Sequence, residues 1–170
     1  MVTGIRLLLL PVFVTLLVVG HLHLALLVLV LIGVSDFLDG FLARQFDQAT
    51  SLGAKLDPIA DRLAMVVTSF AFAVTGLIPW WLVAALLVPD IILVILVWGS
   101  EPPPTNLLGK VRTALLLLGF PLLLAGHAWG LQVLIIIASV ALLLGTIGHL
   151  ISAVRYGVII VKARRGASTR

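Results

Sequence analysis

The chain has no cysteine among its 170 residues. Disulfides and thiolate metal sites are therefore excluded, and the absence carries no information about compartment. Charge is nearly as scarce. Only 11% of residues are charged and 62% are hydrophobic, whereas a soluble domain runs at about 25% charged and about 45–50% apolar. Mean hydropathy is +1.28. This is the composition of a polytopic membrane protein. It leaves no length for a separate soluble part, so residues 1–170 read as a single integral membrane domain. Met1 to Val18 does not read as a signal peptide. It has Arg6 as its one charged side chain, lacks a small-residue cleavage site and runs straight into more apolar sequence.

A spanning helix needs about 20 apolar residues, and the sequence divides into six such stretches. They cover roughly 5–19, 24–46, 51–74, 80–98, 108–124 and 131–161, an all-α architecture of six transmembrane helices. Gly20-His21-Leu22-His23, Gly76 with Pro79, Gly99 to Asn106 with three prolines, and Gly126 to Gly130 supply the breaks. The net charge is +4 and the pI about 10.4. No nucleic-acid partner follows from that, because the basic residues flank apolar spans as positive-inside topology requires. All eleven Lys and Arg fall on or toward the cytoplasmic side if six spans start from a cytoplasmic N-terminus. The turns near 20–23, 75–79 and 125–130 contain none. Both termini and the loop 45–52 are then cytoplasmic. Trp80, Trp81, Trp98 and Trp129 fall at span ends, as an aromatic belt does.

Acidic residues number seven, and four of them stand in one pattern: Asp36, Asp39, Gly40, Ala43, Arg44, Gly53, Asp57 and Asp61. Carboxylates in a membrane segment are expensive and persist mainly where they have a function. On helices, Asp36 and Asp39 are i,i+3 and Asp57 and Asp61 are i,i+4, so each pair shares a face. Two such faces brought together repel unless cations hold them. The physical reading is a divalent-metal site. Two hard cations such as Mg2+ or Mn2+ prefer carboxylate oxygens and can stabilise both oxygens of a phosphoryl transfer. Asp36, Asp39 and Asp57 are the first ligand candidates. Asp61 is a bridging ligand or the base that takes a proton from an attacking hydroxyl. Gly40, Ala43 and Gly53 remove side-chain bulk, so a bound group can lie close to the backbone, and Arg44 can pair with phosphate. Each has a structural alternative: helix packing for the glycines, a topology anchor for Arg44, an ion pair for Asp36 with Arg44. Pro58, next to Asp57, shapes the helix.

The pattern D-x2-D-G-x2-A-R-x8-G-x3-D-x3-D resembles the signature of the CDP-alcohol phosphatidyltransferase family, and every signature position matches. A weaker resemblance runs from Thr3 to the last apolar segment. It implies attack by an acceptor hydroxyl on the diacylglycerol-linked phosphorus of CDP-diacylglycerol, with release of CMP at the cytoplasmic face. It also implies that Asp36, Asp39, Gly40, Ala43, Arg44, Gly53 and Asp57 hold the CDP moiety. The likeness further suggests a homodimer in the plasma membrane of a prokaryote. Gly109-Lys110-Val111-Arg112-Thr113 resembles the G-K-x-K/R-T segment of the glycerophosphate and cardiolipin branch. The leading acceptor is then glycerol 3-phosphate, with phosphatidylglycerol second. Lys110, Arg112 and Arg155 are the candidate cationic pocket for the acceptor's phosphate. Positive-inside anchoring is the competing explanation for Lys110 and Arg112. Arg155 has apolar sequence on both sides, which suits a functional role.

Some positions depart from the family pattern. The asparagine that usually stands three residues before Thr3 would precede Met1, so the start is truncated or that position is dispensable. Pro89-Asp90 lacks the arginine that the glycerol branch tends to carry there. Asp90 is functional or a satisfied interhelix polar group. His21, His23 and His127 read as interfacial, and His149 as a packed, hydrogen-bonded residue. Two other classes compete with the enzyme: an ion transporter using the aspartates, and a catalytically dead membrane partner. The position of the aspartates at one end of two helices, with no charges continuing outward, opposes the first. The complete signature opposes the second.

Overall fold

The computed structural model describes the backbone of residues 2–46, 53–97 and 107–167, and side chains over 8–35, 62–92, 107 and 109–158. Of the loop expected at 45–52, residues 45 and 46 belong to a helix and 47–52 lie outside the described residues, as does the loop expected at 99–106. Six helices follow one another: α1 (Val2–Val18), α2 (Leu22–Phe46), α3 (Gly53–Val74), α4 (Trp80–Val97), α5 (Leu107–Trp129) and α6 (Gln132–Ala167). No strand occurs among the described residues.

Three of the connections end their helices in the same way. Gly20, Gly76 and Gly130 carry φ of 87°, 75° and 65°, a left-handed conformation that costs glycine least. In each, the glycine amide bonds back three residues and the next amide five. His21 N donates to Leu16 O at 2.9 Å, Leu77 N to Phe72 O at 2.9 Å, and Leu131 N to Gly126 O at 2.8 Å. These bonds occupy carbonyls that the helix end otherwise leaves bare. The same mechanism explains one of the two sizeable differences from the expected boundaries, the other being α6, which runs to Ala167 and not to 161. Gly126 does not close α5; it lies within the helix, and Gly130 provides the cap. Prolines 11, 89 and 121 are accommodated inside α1, α4 and α5.

The chain forms two compact units. The first holds residues 1–79 and 121–135, the second 80–120 and 136–170. In the first, α1 packs against both α2 and α3. Phe13 and Phe72 are fully buried with ring centroids 6.3 Å apart, and Ala25, fully buried on α2, keeps the backbones close. In the second, Leu116 of α5 and Leu142 of α6 are buried beside glycines. A Cβ at Gly145 would lie 2.9 Å from Leu116 Cγ, and one at Gly119 would lie 2.7 Å from Leu142 Cδ2. Small residues such as these glycines, which let a neighbouring helix come close, are how helices associate where no water drives them together. Buried hydroxyls bond to the preceding turn: Thr146 Oγ1 to Leu142 O and Ser152 Oγ to Gly148 O, both 2.8 Å.

The outward faces are apolar. Leu8 is 74% exposed and Val133 71% exposed, with many other large hydrophobic residues more than a third open. A surface of this kind suits hydrocarbon better than water. Two helices are long and apolar enough to cross a membrane among the described residues, Gly109–Trp129 and Gln132–Val158. The chain is thus all-helical and membrane-associated.

Candidate active site

Residues 36–44 lie in the last turns of α2, and Gly53, Asp57 and Asp61 in the first turns of α3. Both stretches belong to the first unit. The i,i+3 and i,i+4 spacings therefore act on real helices, and each aspartate pair occupies neighbouring positions on one helix. Carboxylate oxygens are hard donors of the kind that divalent cations take. The side chains of Asp36, Asp39, Gly40, Ala43, Arg44, Gly53, Asp57 and Asp61 lie outside the described residues. No group of three or more potential ligands occurs among the described ones.

The basic segment lies on α5 in the second unit. Lys110 and Arg155 are exposed, and Arg112 is half-buried. Arg112 Nη1 donates to His149 Nδ1 at 2.7 Å and to the His149 carbonyl at 3.4 Å. The contacts described for Arg112 involve neither Lys110 nor Arg155. Gly148 makes room for this pairing, since a Cβ there would stand 3.1 Å from Arg112 Cβ. His149 is buried, 3% exposed. Its Nε2 donates to Leu86 O at 3.1 Å and stands 3.5 Å from Asp90 Oδ1. His149 is thus the packed, hydrogen-bonded residue expected, and Asp90 has an interhelix partner.

The pairing of Asp90, His149 and Arg112 is the feature that sequence reasoning missed. The available signal was three ionisable residues inside apolar spans. Their partners lie 37 and 63 positions apart, which a single sequence does not connect.

The family profile for CDP-alcohol phosphatidyltransferase matches residues 1–147. The chain belongs to the CDP-alcohol phosphatidyltransferase family. A Streptomyces coelicolor family relative named "Cardiolipin synthase (CMP-forming)" is 44% identical over 128 residues, covering 71% of this chain and 56% of its own. A Mycobacterium tuberculosis protein with cardiolipin synthase in its name is 40% identical over 133 residues, 75% of this chain and 64% of its own. A Sodalis glossinidius protein named as a CDP-diacylglycerol--glycerol-3-phosphate 3-phosphatidyltransferase is 35% identical over 107 residues, 58% of each chain. The chain thus spans less than two thirds of the length of these CDP-alcohol phosphatidyltransferase relatives. His149 and Arg155 lie just past the end of the profile match.

Proposed function

We propose that the chain transfers the phosphatidyl group of CDP-diacylglycerol to a hydroxyl of a glycerol-based, phosphate-bearing acceptor and releases CMP. The complete eight-residue signature on two helices carries this reading. The hydroxyl oxygen bonds to the diacylglycerol-linked phosphorus, the bond from that phosphorus to the CMP oxygen breaks, and the hydroxyl proton passes to Asp61. Asp36, Asp39 and Asp57, with Asp61 as a further candidate ligand, would hold two Mg2+ or Mn2+ ions. When bound, such ions neutralise charge on the attacking and leaving oxygens. Gly40, Ala43 and Gly53 admit the cytidine nucleotide close to backbone, and Arg44 pairs with its phosphate. Lys110, Arg112 and Arg155 take the acceptor's phosphate.

Glycerol 3-phosphate is the first acceptor, on the strength of the GKVRT segment and the Sodalis relative. Phosphatidylglycerol is the second reading. The greater identity and coverage of the Streptomyces and Mycobacterium relatives favour it. The charge placement supports six spans with both termini and the motif on the cytoplasmic side, the bacterial relatives support a prokaryotic plasma membrane, and a homodimer is taken from the family resemblance alone. The test is purified protein with CDP-diacylglycerol and a panel of acceptors, following CMP release and the lipid product. CMP release that depends on neither glycerol 3-phosphate nor phosphatidylglycerol rejects the acceptor assignment.

A further inference from the structure

The second unit brings a carboxylate, an imidazole and a guanidinium together from α4, α5 and α6. Their hydrogen-bonding capacities fix the state of the imidazole. A guanidinium has only donors, so the 2.7 Å contact from Arg112 Nη1 requires a lone pair on His149 Nδ1. The ring proton then sits on Nε2, facing the Leu86 carbonyl at 3.1 Å, which can only accept. Asp90 Oδ1, 3.5 Å from the same nitrogen, favours a proton there too. A protonated imidazole would set an N–H against the arginine's N–H. The neutral tautomer with hydrogen on Nε2 satisfies the Arg112, Leu86 and Asp90 contacts together.

From this geometry we infer that His149 is a positioning residue, holding the Arg112 guanidinium in place for the acceptor's phosphate, with Asp90 and the Leu86 carbonyl fixing the imidazole behind it. The inference rests on the acceptor role proposed for Arg112. An arginine carries many rotamers, and a planar fork binds phosphate well only when it is oriented. His149 engages Nη1 through its ring and its own carbonyl. The close approach at Gly148 holds the two helix backbones in register for that grip. His149 is too deeply buried to be assigned contact with substrate, so its influence passes through Arg112.

Two substitutions separate this role from plain packing. Asparagine can place its carbonyl oxygen near the Nδ1 position and still accept from Arg112. Glutamine can reach the Leu86 carbonyl with its amide nitrogen and leaves Arg112 without its acceptor. Each removes one of the two ring hydrogen bonds, so a merely structural role predicts similar losses from both. His149→Gln should raise the acceptor KM roughly ten- to hundredfold, the size expected for a charge-assisted hydrogen bond, with the CDP-diacylglycerol KM unchanged. His149→Asn should keep the acceptor KM close to wild type. Arg112→Gln with His149→Gln should be no worse than Arg112→Gln alone, as coupled residues behave. Equal acceptor KM values in the Asn and Gln variants, or additive effects in the double variant, overturn the inference. If His149→Gln does not fold, Asp90→Asn carries the test, and an unchanged acceptor KM in that variant overturns it. Wild-type protein that uses neither glycerol 3-phosphate nor phosphatidylglycerol removes the functional reading itself, and that failure shows before any variant is made.

Discussion

A carboxylate at position 61 can bind metal or take a proton, and substitution separates the two. Asp61→Asn should abolish turnover and leave CDP-diacylglycerol binding intact if the proton is its main business. Asp36→Asn, Asp39→Asn and Asp57→Asn should lower activity by orders of magnitude while the protein stays folded in detergent. CMP release by each variant, with nucleotide-lipid binding measured alongside, checks both; wild-type turnover in Asp61→Asn would remove it from the mechanism. Arg155, exposed on α6, is the third residue proposed for the acceptor's phosphate. Arg155→Gln should raise the acceptor KM by roughly ten- to hundredfold, the loss of one charge-assisted hydrogen bond. An unchanged KM in folded protein rejects that assignment.

Between helices, glycine decides how close two backbones come. A Cβ at Gly126 would lie 2.9 Å from the backbone nitrogen of Ile135, whereas one at Gly33 meets nothing within 4 Å. Alanine gains up to about 1 kcal/mol in helix propensity at either site. At Gly126 the overlap is with backbone, which cannot rotate away, and overpacking of this kind costs about 1–3 kcal/mol. Gly126→Ala should therefore be destabilised on balance and Gly33→Ala should not. Thermal unfolding of the two variants in the same detergent measures the difference. A Gly126→Ala protein as stable as wild type would mean that α5 and α6 can part there at little cost.

At the scale of the whole molecule, the scarcity of charge is the governing fact. In the proposed site four aspartates face one another in an otherwise apolar chain, an arrangement that needs cations for all four to stay charged. Activity should disappear with a chelator and return with Mg2+ or Mn2+, and full turnover in excess EDTA would reject the metal site. The absence of cysteine makes topology directly measurable, since one introduced thiol has no background. Ser51→Cys should be labelled by a membrane-impermeant reagent from the cytoplasmic side only, and His21→Cys from the opposite side only. Labelling of both from one side would reject the six-span arrangement.

The sequence by itself determined the six helices, their order and most of their ends, because apolar runs and helix-breaking residues act over neighbouring positions. It also determined the family, because the signature is a fixed spacing within one continuous stretch of 26 residues, 36–61. The end of α5 was misjudged because Gly126 and Gly130 offer the same chemistry to a helix, and the bond from Leu131 N to Gly126 O selects the second. Only the tertiary structure decided that Arg112, read as a phosphate ligand or a topology anchor, meets His149. That contact depends on the register of α5 against α6, set by Gly145 and Gly148, and on α4 presenting the Leu86 carbonyl. Helix register is a property of packed surfaces, and residues 37 and 63 positions apart acquire a common partner only once those surfaces meet.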